Sequence, residues 1–196
     1  MIYSTQNYKH LSKMEGLSDE LINNHFTLYE GYVKNFNLLN DLILSLEKKG
    51  DFTSLAYAEM NRRFGWEFNG MRLHEYYFEN LVRSGREHNH MSKLHKQLAK
   101  SFGSHGKWEK DFRAMCAMRG VGWVILYYDL SQKELFNVWV NEHDTGHLAG
   151  CVPIIVCDCF EHAYMLDYGT KRTGYIDAFF KNLNWTKVEK RFADVK

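Results

Sequence analysis

No stretch of this sequence approaches 18 consecutive apolar residues, and Met1 to Lys13 carry no apolar core of the kind a secretory leader needs. Neither a membrane span nor a signal peptide is expected, and the chain reads as cytoplasmic. An excess of one charge is missing too: 25 Lys and Arg stand against 24 Asp and Glu, a formal net charge of +1. That balance offers no broad positive field to a phosphate backbone or an acidic bilayer, so neither nucleic acid nor membrane is an expected partner. Small-molecule chemistry is the better reading. Cysteine is sparse. Cys151, Cys157 and Cys159 are bunched and Cys116 stands apart, which is no disulfide framework, and the four are read as reduced thiols. Proline occurs once, at Pro153, and there is no internal repeat, low-complexity segment or long run of like charge. A chain of 196 residues makes one or two domains and can bury about 70% of its surface on folding.

What the sequence has in unusual number is histidine, ten in all, the commonest metal ligand among side chains. Their setting follows from the apolar periodicity. Ser18, with Asp19 and Glu20 behind it, signals a helix start, and Leu21, Ile22, Phe26, Tyr29, Tyr32, Val33 and Phe36 recur at helical spacing. This helix is predicted to reach about Lys48. A second follows the turn at Gly50 and Asp51, from Phe52 to Val82, with interruptions near Gly65 and Gly70. The polar segment Ser84 to His90 is the best boundary, dividing a helical-hairpin domain, 1–88, from a second domain, 89–196. Helical patterns at Met91–Lys100 and His105–Met118 end at Gly120 and Gly122. The period then changes: Trp123–Tyr128, Glu134–Asn141 and Val152–Cys157 read as short strands of a small antiparallel sheet, Pro153 standing where a strand tolerates it. Helical patterns at Glu161–Tyr168 and from Lys171 onward close the chain. The fold class is α+β.

Asp158 and His162 lie four residues apart at a strand-to-helix corner that can aim both side chains at one point. Alone, such a pair is as readily a helix cap beside an ordinary histidine. His25 among Ile22, Phe26 and Tyr29, and His74 among Met71, Tyr77 and Phe78, lie on the two long helices expected to face each other. Three imidazoles and one carboxylate leave a position open on an iron or manganese ion, whereas zinc is content with four ligands. Cys157 and Cys159 with His162 also spell a Cys-x-Cys-x-x-His zinc pattern, although alternating residues of a strand are more simply buried thiols. His88, His90 and His95 in the polar interdomain stretch, with His105 and His147, read as exposed histidines.

These residues, in order, resemble the iron/manganese superoxide dismutases along almost the whole chain from Gly16. Leu17-Ser18 opens the first helix with His25 seven residues after the Ser, and Gly31 to Asn37 is similar to a downstream Tyr-Val and Asn. His74-Glu75-Tyr76-Tyr77-Phe78 resembles the segment of the second ligand, and Phe102-Gly103-Ser104 and Gly120-Val121-Gly122-Trp123 the opening of the second domain and its first strand. Asp158-Cys159-Phe160-Glu161-His162-Ala163-Tyr164 is similar to the signature Asp-x-Trp-Glu-His-Ala-Tyr, and Tyr175 to Phe180, Asn184-Trp185 and Lys190-Arg191-Phe192 extend the likeness.

The resemblance implies disproportionation of superoxide at one iron or manganese ion per subunit, held by His25, His74, Asp158 and His162, with a lean to iron and use of both metals open. It implies His143, in Asn141-Glu142-His143-Asp144, in the place of a Gln that bonds metal-bound solvent, and a gateway tyrosine, either Tyr32 or Tyr29. Trp123, Phe160 and Tyr164 border the site. Glu161 reaches His162 of a twofold partner, so a homodimer, able to pair into a tetramer, is expected. Phe160, Met165 and Ile125 depart from the family's aromatics, and Val156 matches neither metal's usual residue. Two alternatives stay open: a non-enzymatic member of the fold keeping the metal as a structural or storage site, and a different mononuclear metalloenzyme.

Overall fold

In the computed structural model, which describes residues 2–195, the Ser18 hydroxyl accepts the Leu21 amide at 3.0 Å and caps helix α1, Asp19–Lys48. The stripe it buries, Leu21, Ile22, His25, Tyr29, Val33, Phe36, Leu39 and Ile43, repeats every three or four residues. Gly50 turns the chain with φ 72°, and helix α2, Leu55–Glu79, capped by Ser54, packs back along α1. Helix α2 is shorter at both ends than the sequence predicts and runs unbroken through Gly65 and Gly70. Those glycines mark close approach of other groups, not a break in the helix.

The second half contains α3 (Lys93–Phe102), α4 (His105–Cys116), β1 (Trp123–Asp129), β2 (Leu135–Val140), β3 (Cys151–Asp158), α5 (Met165–Tyr168), α6 (Arg172–Lys181) and α7 (Trp185–Val195). The architecture is α+β: a helical hairpin, then a three-stranded antiparallel sheet among helices, in the order β2-β1-β3. Central strand β1 is buried from Trp123 to Tyr128, which requires cover on both faces, and α4 and α2 pack on the sheet. The helix expected over Glu161–Tyr168 is a 3-10 turn, Glu161–Ala163, followed by the single turn of α5, and the expected C-terminal helix breaks between α6 and α7 at Asn182 to Asn184.

Register places the site. Trp123 pairs with Val140 on one side and with Asp158 on the other, and directly opposed residues of antiparallel strands share a face. The end of the sheet therefore sets the Trp123 indole beside the Asp158 carboxylate, while the chain beyond Val140 starts the loop that carries His143. Gly122, just before β1, has φ 150°, and a Cβ there would lie 2.3 Å from the Val140 carbonyl oxygen.

The outer edge of β3 is sealed by polar side chains from both halves. Asn80, at the end of α2, donates to the Val156 carbonyl at 2.8 Å, and Arg191 of α7 donates to Ile154 at 2.6 Å and to the Asn80 side-chain oxygen at 2.7 Å. The connection after α2, where the sequence suggests a boundary at 88, is itself tied down. Val82 donates to the Asn182 carbonyl at 2.9 Å and Arg86 to that of Leu183 at 3.0 Å. Among the described residues no helix is long and apolar enough to cross a membrane.

Candidate metal centre

Four segments distant in sequence deliver His25 (α1), His74 (α2), Asp158 (end of β3) and His162 (3-10 turn) to one point, their ligand atoms all within 4.8 Å of one another. The hub is Asp158 Oδ2, which lies 2.9 Å from His162 Nε2, 3.1 Å from His25 Nε2 and 3.7 Å from His74 Nε2. Its other oxygen accepts the Phe160 amide at 2.8 Å, and the Asp158 carbonyl accepts the Tyr175 hydroxyl at 2.7 Å. Backbone and carboxylate are thus both fixed before the turn brings His162 back over the strand end.

Tautomers follow from the partners. His74 Nδ1 faces the Gly70 carbonyl at 2.5 Å; a carbonyl only accepts, so Nδ1 carries the proton and Nε2 is a bare lone pair, buried without a hydrogen-bond partner. Burial, reinforced by the neighbouring His25, pushes His74 well below the usual histidine range. Burial also lowers His25, against the opposing pull of its bond to Asp158. Burial alone would raise the Asp158 carboxyl, but the His162 and His25 rings more than reverse that and hold it low. One carboxylate oxygen cannot satisfy three imidazole nitrogens, one of them with no proton to give, whereas a cation among them can. Imidazole nitrogens with one carboxylate suit a first-row transition ion, so the residues fit iron or manganese.

The rim is built on His143. Trp123 Nε1 donates to His143 Nδ1 at 3.0 Å, and because indole only donates, the His143 proton sits on Nε2, which faces the Tyr32 hydroxyl at 2.6 Å. Burial holds His143 down at about 4 and, with help from the Asp158 charge, Tyr32 up at about 12. The Tyr32 ring stacks on His74, centroids 5.2 Å apart. It fits only because residue 70 is glycine: a Cβ there would lie 2.4 Å from Tyr32 Cδ1. Phe160 lies parallel to His162 at 5.5 Å and against His143 at 5.1 Å.

Tyr29 is not at the cluster. Its hydroxyl donates to Glu75 Oε1 at 2.9 Å and accepts the Gln6 amide at 3.0 Å, so of the two candidate tyrosines the helix presents Tyr32 to the ligands. Tyr164 is buried with its hydroxyl on Arg172 at 3.1 Å, and Glu161 is exposed beside His162. The Cys-x-Cys-x-x-His pattern does not assemble; Cys157 and Cys159 turn to Cys116, all three fully buried, in a separate group.

Two residues of the rim escape the sequence reading. Trp66 lies 4.7 Å from His143 between ring centroids. Its signal is spacing, since Trp66, Gly70 and His74 fall at successive fourth positions of α2. His147, expected exposed and idle, accepts from Tyr127 at 2.6 Å through Nδ1 and reaches the His143 carbonyl at 2.6 Å through Nε2, pinning the loop.

A family model described as iron/manganese superoxide dismutases, C-terminal domain, matches residues 90–191. The chain is 34% identical over 188 residues to an iron superoxide dismutase of Cupriavidus metallidurans, covering 93% of this chain and 91% of that protein. It is 34% identical over 184 residues to one of Aquifex pyrophilus, covering 91% and 85%. To a manganese superoxide dismutase of Haloferax volcanii it is 33% identical over 168 residues, covering 86% and 82%.

His74→Ala removes the bare Nε2 without touching the Asp158 hub. The purified variant, folded by circular dichroism and reloaded with iron or manganese, should fall from about one ion per chain to near none by elemental analysis. Undiminished metal would remove His74 from the site.

Proposed function

Because the chain belongs to the iron/manganese superoxide dismutase family and is a superoxide dismutase, an oxidoreductase, we propose that it works through His25, His74, Asp158 and His162 as ligands to one ion per chain. The observation that carries this is the convergence of three imidazole nitrogens on one buried carboxylate oxygen, with His74 Nε2 unprotonated. An iron or manganese ion there supplies the one-electron chemistry by which superoxide becomes dioxygen and hydrogen peroxide. Iron is our first assignment, with function on manganese also proposed.

The chain's own part is to hold protons in place. Peroxide formation consumes two. Trp123 fixes His143 with its proton on Nε2, directed at the Tyr32 oxygen, which leaves the Tyr32 proton free to point elsewhere. With its pKa raised to about 12, that hydroxyl is protonated throughout the neutral range, and its half-exposed ring can recover a lost proton from solvent. Tyr32 is therefore our gateway residue, with His143 as the group that orients it. Phe160 and Trp66 wall His143 from bulk water.

Superoxide is an anion and the net charge of +1 attracts it weakly, so local cations must do the steering. Arg63 is the candidate. Its guanidinium lies 4.6 Å from the Trp66 ring centroid and pairs with Glu67 at 2.9 Å on one side only, and its charge is felt at both Tyr32 and His143.

We also assign a homodimer. The exposed face at Glu161 and His162 is apolar at Met165 and Leu166, 46% and 52% exposed, and has Leu21 and Asn24 beside it. A second copy on that face lets Glu161 of one protomer fix the tautomer of the partner's His162. Four free thiols suit a reducing cytoplasm, and residues 1–88 and 89–196 are our two domains.

In a xanthine oxidase competition assay at full metal occupancy, both metal forms should consume superoxide. His143→Ala should keep its metal while turnover falls about tenfold or more, and unchanged turnover would reduce His143 to a loop residue. Arg63→Glu should lower kcat/KM severalfold at low ionic strength, with the gap closing as salt rises; a salt-independent loss would argue against steering. Light scattering should give twice the protomer mass for the native chain and a shift toward the protomer for Glu161→Arg; a native protomer mass would dismiss the assembly.

A further inference from the structure

Histidines 88, 90, 95 and 105, which the sequence leaves as separate exposed side chains, are gathered by the fold into one group. His88 stacks on His105 with centroids 4.2 Å apart and lies 4.9 Å from His95; His90 is 5.3 Å from both His88 and His95. The ligand nitrogens of His88, His90 and His95 all fall within 4.8 Å of one another. Both ring nitrogens of His88, Nδ1 of His95 and Nε2 of His105 are shielded from water and have no hydrogen-bond partner. Bare polar nitrogens cost free energy when they leave water, so four in one place call for an explanation.

Protonation does not provide it, because imidazolium ions at these separations repel. Burial, followed by the neighbouring His105, His95 and His90 rings, pushes His88 down to about 4, so the lone pairs stay available. Two carboxylates lie nearby and both are engaged: Glu189 is 3.8 Å from His88 Nε2 and accepts the Asn89 amide at 3.1 Å, and Glu109, whose charge is felt at His105, accepts from Arg113 at 2.7 Å. Trp185 packs over His88 with centroids 4.2 Å apart and closes the inner side. What satisfies several neutral imidazoles together is a cation that accepts their lone pairs.

We propose that His88, His90 and His95 form a second metal site for a borderline divalent transition ion such as zinc, with the fourth position left to solvent. Zinc–nitrogen bonds of about 2.0–2.1 Å require nitrogens about 3.4 Å apart in a tetrahedron, a modest contraction from the separations present. The site is independent of the iron or manganese centre: none of its residues belongs to that cluster and its protein donors are all nitrogen. Held there, the ion ties the connection after α2, which carries His88 and His90, to the first turn of α3, which carries His95.

The test uses protein fully loaded with iron, equilibrated with excess zinc, freed of loose ions by gel filtration and analysed for both metals. One zinc per chain in addition to the iron is expected, and zinc that never exceeds a trace overturns the proposal. His90→Ala/His95→Ala should lose that zinc while keeping its iron and its activity toward superoxide. The single His90→Ala change, at an exposed position, should weaken zinc retention about tenfold or more even if the double variant folds poorly. Undiminished zinc in these variants overturns the assignment. Cobalt in place of zinc should give ligand-field bands without thiolate charge transfer; a thiolate band would move the ion to Cys116, Cys157 and Cys159 and refute the histidine site.

Discussion

A carboxylate with no exposure to water must be compensated, and the arrangement of this molecule's centre follows from where Asp158 is buried. It stands at the last residue of β3, against the first of β1, so a sheet register of only a few pairs decides where the charge lies. Everything brought to it comes from elsewhere in the chain: His25 and His74 from the hairpin, His162 from the turn beyond, and the Tyr175 hydroxyl on its carbonyl from α6. Hairpin and sheet are therefore held together by the same charge that organises the site. The polar lock of Asn80 and Arg191 on the β3 edge fixes the strand from the opposite side. A slip of one residue in that strand would turn Asp158 to the other face and separate the ligands.

Because the hub is negative and burial disfavours charge on His25 and His74, the centre is prepared for a cation, and the surrounding residues have to manage protons without adding charge. The Trp123, His143 and Tyr32 chain meets that requirement. Indole can only donate, so one hydrogen bond at the inner end determines where the protons sit along the row. With Phe160 where the family has Trp this row is complete without it, since the Phe160 ring acts by packing on His143 and His162. The departure at Phe160 therefore alters the wall of the site more than its chemistry.

How much of this was legible in the sequence depended on whether the cause was local. Apolar periodicity points to the hairpin, the cap at Ser18 to its start, and the spacing of Asp158 and His162 to two members of the buried cluster, because each signal lies within a turn or two of the chain. Gly70 was misread as a helix interruption because its reason is the Tyr32 ring of another helix. His147 looked idle because its partners, Tyr127 and the His143 carbonyl, are reached only once the strands have paired. The choice between Tyr29 and Tyr32 could not be made from α1 alone, since both lie near the buried face; the nearness of Glu75 and Gln6 to one and of His143 to the other separates them.

The same limit hid the second histidine group, and the contrast between the two groups bears on how one small chain would keep two metals apart. At the first, a carboxylate sits among the imidazoles, hardening the donor set and lowering the charge of any complex, which favours iron or manganese. At the second, the nearby carboxylates are engaged elsewhere, Glu189 by a backbone amide and Glu109 by Arg113, so the proposed donors are nitrogen alone. Imidazole by itself follows the order of affinity that rises toward copper and zinc, and iron or manganese compete poorly there. Zinc in turn would bind the buried first set well, so selectivity at that set has to come from the open coordination position that zinc does not need and from which metal arrives first. A nitrogen-only group near the surface, with His90 exposed, would intercept such ions before they reach the buried one. The two sites would then differ in accessibility as well as in donors: the first has its carboxylate as a buried hub, and the second has its neighbouring carboxylates held on a backbone amide and on Arg113.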